Sequence, residues 1–100
     1  AEVVVIANGN SAQSFAQTSY LPIKFIRGQM TEISVTCESA TLKIPLCGQG
    51  HVLPSLNETH LLGATYDLGV NETFISEQDD ISNLEKLKQI APNTNWSHDI

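Results

Sequence analysis

The stretch LCGQGHVLPSLNETHLLGATYDLG, residues 46 to 69, decides how this chain is read. Two apolar runs, HVLPSL and HLLGATYDL, are separated by the turn-forming LNET, and Gly48 and Gly50 punctuate the approach to the first. Short apolar runs bounded by Gly, Asn and Pro are the pattern of strands joined by tight turns. Upstream, ATLKIPLCG (residues 40 to 48) is a further strand, and Pro45 inside it argues for an edge position or a bulge. IKFIRGQMTEISVT (residues 23 to 36) is a long strand with Gly28 in its middle, which marks either a bulge or a close approach to the backbone. Residues 23 to 68 therefore predict an antiparallel meander of three or four strands.

The two ends differ. EVVVIAN, residues 2 to 8, is a continuous β-branched run, which predicts a buried, central, parallel strand. Asn8–Gly9 ends it, and Ser11 or Asn10 is placed to cap the short amphipathic turn SAQSFAQ. A chain opening on such a strand reads as cut from something larger. At the other end, Ser76 followed by Asp79 suggests a capping box, with Glu77, Asp79 and Asp80 in a first turn that favours acids. Ile81, Leu84, Leu87 and Ala91 form one apolar face, Lys86 and Lys88 lie toward the C-terminal end, and Pro92 stops the helix. The predicted fold class is α+β: an antiparallel β-meander with a C-terminal helix.

Composition narrows the partners. With 41% hydrophobic and 16% charged residues the chain is an ordinary globular sequence, not a disordered one. The net charge is −6, and the cations Lys24, Arg27, Lys43, Lys86 and Lys88 form no run. Direct nucleic-acid binding by this chain is excluded on that ground, because phosphate neutralisation needs clustered cations. No apolar run approaches the roughly 20 residues that span a bilayer, so no membrane association is expected. Cys37 and Cys47 could pair if their strands lie side by side, or are two reduced core thiols of a cytoplasmic protein. The sequons at Asn57, Asn71 and Asn95 read as chance in a turn-rich chain.

Candidate chemistry is sparse. GQGHVL, residues 48 to 53, begins like a dinucleotide fingerprint, but Leu53 stands at the third glycine and Pro54 follows. His51, His60 and His98 are too scattered for a metal pair, so no metal site is expected. His51 is either a polar group facing a pocket or a turn-proximal histidine bonded to a carbonyl. Alternation puts Arg27 on the face of Phe25 and Gln29, where its guanidinium would suit a carboxylate ligand or be held by a surface acid. Tyr66 alternates with Ala64 and Leu62 as core or pocket lining. Nothing places a nucleophile beside a base, so no catalytic residue is named.

The motifs in order carry further. VVIANG, then LPIKFIRGQMTEI, then LCGQGHVLP, then HLLGATYD resemble the FAD-dependent amine oxidoreductases of the D-amino-acid oxidase and glycine oxidase superfamily, over nearly the whole chain. Within it, the likeness is nearest to the oxidoreductase part of the bifunctional enzymes that modify the wobble uridine of tRNA. The resemblance implies that residues 1–15 end a strand of the FAD domain and that 16–100 belong to a substrate domain whose sheet roofs the flavin. Ala7, Asn8 and Gly9 would approach the cofactor, and His51, Arg27, Gln29 and Tyr66 would line the substrate pocket. Where the family often carries a tyrosine this chain carries His51, which can still donate a hydrogen bond. The implied parent oxidises a secondary amine, releasing the carboxymethyl group of carboxymethylaminomethyl-uridine, and carries a fused methyltransferase domain that uses S-adenosyl-L-methionine. tRNA would be met by other parts of that parent, and this piece alone would hold no FAD and not turn over. A fragment of a small-amino-acid oxidase acting on glycine or sarcosine, and a non-catalytic binding module, are the alternatives. An unpaired sheet edge would also invite self-association.

Overall fold

Gly28 is where the long predicted strand breaks in two. The computed structural model describes all 100 residues and contains β1 (Ile26–Arg27), β2 (Met30–Ser34), β3 (Leu46–Cys47), β4 (His51–Val52), β5 (Thr59–Gly63), β6 (Asp67–Leu68) and α1 (Glu77–Ile90). Ile26 faces Leu68 and Arg27 faces Asp67 in one antiparallel pair, and the ribbon resumes with Met30 facing Gly63 in the next. Gly28 and Gln29 are thus opposed by three residues, Ala64, Thr65 and Tyr66, which makes the junction a bulge. It is closed by Thr65 N–H donating to Gln29 O at 3.2 Å and Gln29 N–H donating to Thr65 Oγ1 at 3.0 Å. A Cβ on Gly28 would sit 3.1 Å from Thr65 O. Both readings of that glycine, bulge and close approach, therefore hold.

The main sheet is antiparallel throughout with order β2-β5-β4-β3. β3, β4 and β5 follow one another as hairpins, but β2 lies beside β5 and not beside β3. The expected meander is corrected to a Greek-key order. Burial selects it, since this pairing sets Thr31 and Ile33 of β2 beside Leu62 and His60 on one inward face. β3 is an edge strand directly after Pro45, as that proline required. It is much shorter than residues 40–48, because Ser39–Thr41 forms a 3-10 turn.

The core is Ile33, Val52, Leu62, Leu87 and Trp96. α1 lies on the same side of the sheet and brings Leu87 to it. Its N-cap is Ser76, whose Oγ accepts the Asp79 N–H at 3.3 Å, as the sequence predicts. The helix face is Asn83, Leu84, Leu87 and Ala91, while Ile81, expected on that face, is 42% exposed. The first turn is tied to the sheet by Asp79 and Asp80, and that fixes a rotation in which Asn83 turns inward. Its Nδ2 donates to Gln29 O at 2.9 Å and Thr31 Oγ1 at 3.0 Å. At the far end, Trp96 Nε1 donates to the Ala91 carbonyl at 3.1 Å, covering one of the helix's free C-terminal acceptors.

His60, which the sequence left unweighed, is fully buried. Its Nδ1 donates to Leu53 O at 2.9 Å, Nε2 meets Ser39 Oγ at 3.0 Å, and Trp96 packs against the ring edge-on at 5.4 Å. It ties the Ser39 turn to β5. Cys37 and Cys47 are both free and exposed, so the expectation of core thiols is corrected.

Residues 1–8 overturn the expected buried strand. They lie outside both sheets, with Val3, Val4 and Val5 each more than three-quarters exposed, at 78%, 77% and 81%. A β-branched run is buried only if strands flank it, and no strand of this chain pairs with it. A 3-10 turn over Gly9–Ser14 follows, with Asn8 at its N-cap and no side-chain cap bond, so neither Asn10 nor Ser11 caps it. The projecting arm makes the radius of gyration 17.6 Å, against roughly 13 Å for a compact chain of this length.

Candidate functional site

Two regions of the fold gather the candidate residues. The first is a polar junction where the bulged ribbon meets the start of α1. Arg27, 8% exposed, donates from Nη1 to Asp67 at 3.0 Å and to Asp79, and from Nη2 to Gln29 Oε1 at 2.7 Å and to the Phe74 carbonyl. The Phe74 ring lies over the guanidinium with its centroid 4.1 Å away. The Asp79 hydrogen bond, ahead of the pair with Asp67, raises the arginine above its ordinary range against the opposing effect of burial. Gln29 is the second hub. Its Oε1 accepts the Ser76 N–H at 2.8 Å, and its Nε2 donates to Ser76 O at 2.9 Å and Asp80 Oδ1 at 2.8 Å. Thr31 Oγ1 also donates to Asp80, at 2.6 Å. Arg27 and Gln29 line an open cavity of about 290 Å³ with Met30, Phe74 and Ile75.

The second region is the face of the main sheet turned away from α1. Alternation brings Met30, Glu32, Leu61, Gly63, His51 and Cys47 there, in cross-strand rows that run Met30–Gly63–His51–Cys47 and Glu32–Leu61. Met30 folds over Gly63, where a Cβ would meet its Sδ at 2.5 Å. Beside these rows runs a groove of about 410 Å³ lined by Glu32, Leu53, Pro54, Leu56 and Leu61.

The candidates are divided between these places. Arg27 and Gln29 stand together at the junction, with every contact of the guanidinium named above made inside the chain. His51 is half-buried on the open sheet face and touches neither Arg27 nor Gln29 by hydrogen bond. Tyr66 is 71% exposed, because the bulge breaks the alternation that would have turned it inward. Ala7, Asn8 and Gly9 are exposed at the root of the N-terminal arm. Gly9 has φ +55°, and no atom lies within 4 Å of where its Cβ would be, so the backbone there is open to approach. Of the two acids on Arg27, Asp79 was legible only as a first-turn residue of the helix, and nothing in the sequence pairs it or Asp67 with this strand arginine. The open face was legible in the alternation of Met30, Glu32 and Ser34.

What the chain can do by itself is limited by these facts. The junction is a closed network of charge-assisted bonds, suited to holding elements together. The open face is a surface with apolar relief and one carboxylate, suited to lying against something. No group of three or more His, Cys, Asp and Glu side chains is arranged to hold a metal ion, and no helix is long and apolar enough to cross a membrane.

No profile of a known protein family matches the chain. It is, however, similar along its whole length to part of a tRNA 5-methylaminomethyl-2-thiouridine biosynthesis bifunctional protein, MnmC. Identity over 100 residues is 51% to the protein of Legionella pneumophila strain Lens, 51% to that of strain Philadelphia 1 and 50% to that of strain Corby. The chain spans about 15% of the length of each of these relatives.

Proposed function

We propose that this chain is part of the substrate domain of an FAD-dependent oxidoreductase that acts in tRNA wobble-uridine modification, with a cytoplasmic setting, and that it has no turnover by itself. The observation that carries this reading is the 51% identity over the whole chain to a stretch of MnmC, whose name declares it bifunctional in 5-methylaminomethyl-2-thiouridine biosynthesis. The reaction assigned to the parent is oxidative removal of the carboxymethyl group from carboxymethylaminomethyl-uridine.

In this reading the open sheet face is the wall laid toward the flavin, and His51 and Met30 are its contacts to the pocket. Arg27 and Gln29 hold that wall to α1, and Tyr66 stands at its rim. Ala7, Asn8 and Gly9 would approach the cofactor from the arm, and the open backbone at Gly9 fits such an approach. Bound FAD would supply the hydride acceptor. This chain's part is to exclude water from one side and to present His51 as a hydrogen-bond donor. With a charge of −6, its surface leaves the tRNA phosphates to basic regions elsewhere in a longer protein.

The test is flavin absorbance and intact mass of a full-length protein containing this sequence, run beside the 100-residue chain. Flavin in the former and none in the latter is the expected result, followed by turnover of carboxymethylaminomethyl-uridine tRNA in preference to glycine or sarcosine. A full-length protein purified without flavin and unable to bind it would remove the oxidoreductase reading.

A further inference from the structure

His51 sits on the last rung of the β4–β5 pair. β4 begins at His51, β5 ends at Gly63, and the two residues face each other. Leu53 N–H donates to Leu61 O at 3.0 Å, so by alternation His51 and Gly63 form the next hydrogen-bonded pair. Past them the strands part, into the Gly48–Gly50 turn on one side and the Ala64–Tyr66 bulge on the other. A terminal rung opens easily unless something holds it.

One side chain spans both departing strands. Lys86 of α1 runs behind the turn, where a Cβ on Gly50 would lie 3.4 Å from both Lys86 Cβ and Cδ. Its Nζ then donates to the Ala64 carbonyl at 2.7 Å. The Ala64–Thr65 peptide is thereby tied at both ends, by its oxygen to α1 and by its N–H to Gln29 O at 3.2 Å. The lysine is half-buried and has no ion-pair partner, since both ion pairs of the chain belong to Arg27. Ser82, Asn83, Gln89 and Ile90, its neighbours one turn away on the helix, carry no charge. The ammonium is therefore committed to one strand-end carbonyl and not to balancing an acid.

We propose that Lys86 is the positioning residue for His51, holding the His51–Gly63 rung closed from behind so that the imidazole is presented to the pocket in one orientation. The inference rests on the reading of His51 as a hydrogen-bond donor to that pocket. Lys86 makes no hydrogen bond to His51; it acts through the Ala64 carbonyl and the Gly50 backbone, one on each side of the rung. A displacement of about 1 Å in a group that orients a substrate can cost on the order of a hundredfold in rate, so a small relaxation of this corner reaches turnover.

The test uses a full-length, flavin-loaded protein containing this sequence. Lys86→Met keeps the stem against Gly50 and removes the ammonium, and Lys86→Arg keeps a donor. In Lys86→Met, amide exchange at His51 and Gly63 should quicken about fivefold, the factor that one modest hydrogen bond gives, with the Leu87 amide unchanged. On carboxymethylaminomethyl-uridine tRNA its kcat should fall about tenfold at unchanged KM, because the tRNA is met elsewhere. Lys86→Arg should restore both readouts to within about threefold. In the His51→Ala background, Lys86→Met should change kcat less than about twofold, since a residue acting through His51 has nothing left to position. Unchanged exchange at His51, exchange that quickens equally at Leu87, or an arginine variant no better than methionine overturns the inference. So does a full tenfold loss in the His51→Ala background. Unchanged turnover in His51→Ala removes the donor and the inference with it. A full-length protein that binds no flavin overturns the reading of the site itself, whereas flavin-loaded Lys86→Met with unaltered kcat overturns the role of Lys86 alone.

Discussion

Gln29 Oε1 accepts the backbone N–H of Ser76 at 2.8 Å, across 47 residues of sequence. In a capping box the N3 side chain performs that task, and the N3 residue here is Asp79. Asp79 instead bonds Arg27, and the strand glutamine takes over the cap. The helix start and the bulged ribbon are thus one unit, joined by exchange of polar partners.

That exchange makes Gln29→Ala costly. It strips the Ser76 amide of its acceptor and Asp80 of a donor in a half-buried place. The expected loss is about 1–3 kcal/mol, or roughly 4–8 °C in Tm for each kcal/mol in a chain of this size. Ser76→Ala alone is expected to cost about 1 kcal/mol. Thermal melts of the two single variants and the double variant should show coupling, because both act on the same cap. Simple additivity would mean that Gln29 does not serve it.

Arg27 holds β1, β6, the Phe74 loop and α1 through a planar fork, so Arg27→Lys should not rescue what Arg27→Gln loses. Amide exchange at Gly69, whose N–H donates to Phe25 O at 2.7 Å, and at Ser76 should rise alike in both variants. Protection restored by lysine would show that charge alone is enough.

The pH dependence of that anchor follows from its sign. The arginine is raised in the folded chain, so its stabilisation is fully present below the unfolded value and is lost only as pH rises through the folded one. The unfolded value already lies far above neutral pH. The difference in Tm between the parent chain and Arg27→Gln should therefore be flat between pH 7 and 9. A slope in that window would show that the anchor rests on another titrating group.

The helix face gives a sharp contrast. Leu87→Ala removes a side chain that is 2% exposed and should cost about 2–5 kcal/mol. Ile81→Ala alters one that is 42% exposed and should cost about 0.5 kcal/mol. Urea midpoints decide between this rotation and the one that the sequence pattern implies, in which the two substitutions would cost alike.

Two glycines should differ for a steric reason. A Cβ at Gly50 would lie 2.6 Å from the Gly63 carbonyl, which is backbone, whereas a Cβ at Gly63 meets the flexible end of Met30. Gly50→Ala should destabilise the hairpin more than Gly63→Ala. Met30→Ala should relieve the latter and leave the former unchanged. Melting temperatures of the four chains test the ordering.

The sequence by itself determined the elements whose cause is local. Glycine and proline set the hairpin turns and the edge position of β3, and Ser76 with its acids set the start of α1, because those signals act within a few residues. Alternation in Met30–Ser34 fixed which face of β2 is open. Tertiary structure decided the rest. Whether β2 pairs with β3 or β5 depends on which pairing buries Ile33 and Thr31 together with Leu62 and His60, and no neighbour in sequence reports that. Arg27 meets Asp79 because the bulge at Gly28 turns the ribbon toward the helix start. Val3–Ile6 show the limit most plainly: the residues ask for a buried strand, and burial needs flanking strands that no local pattern can supply.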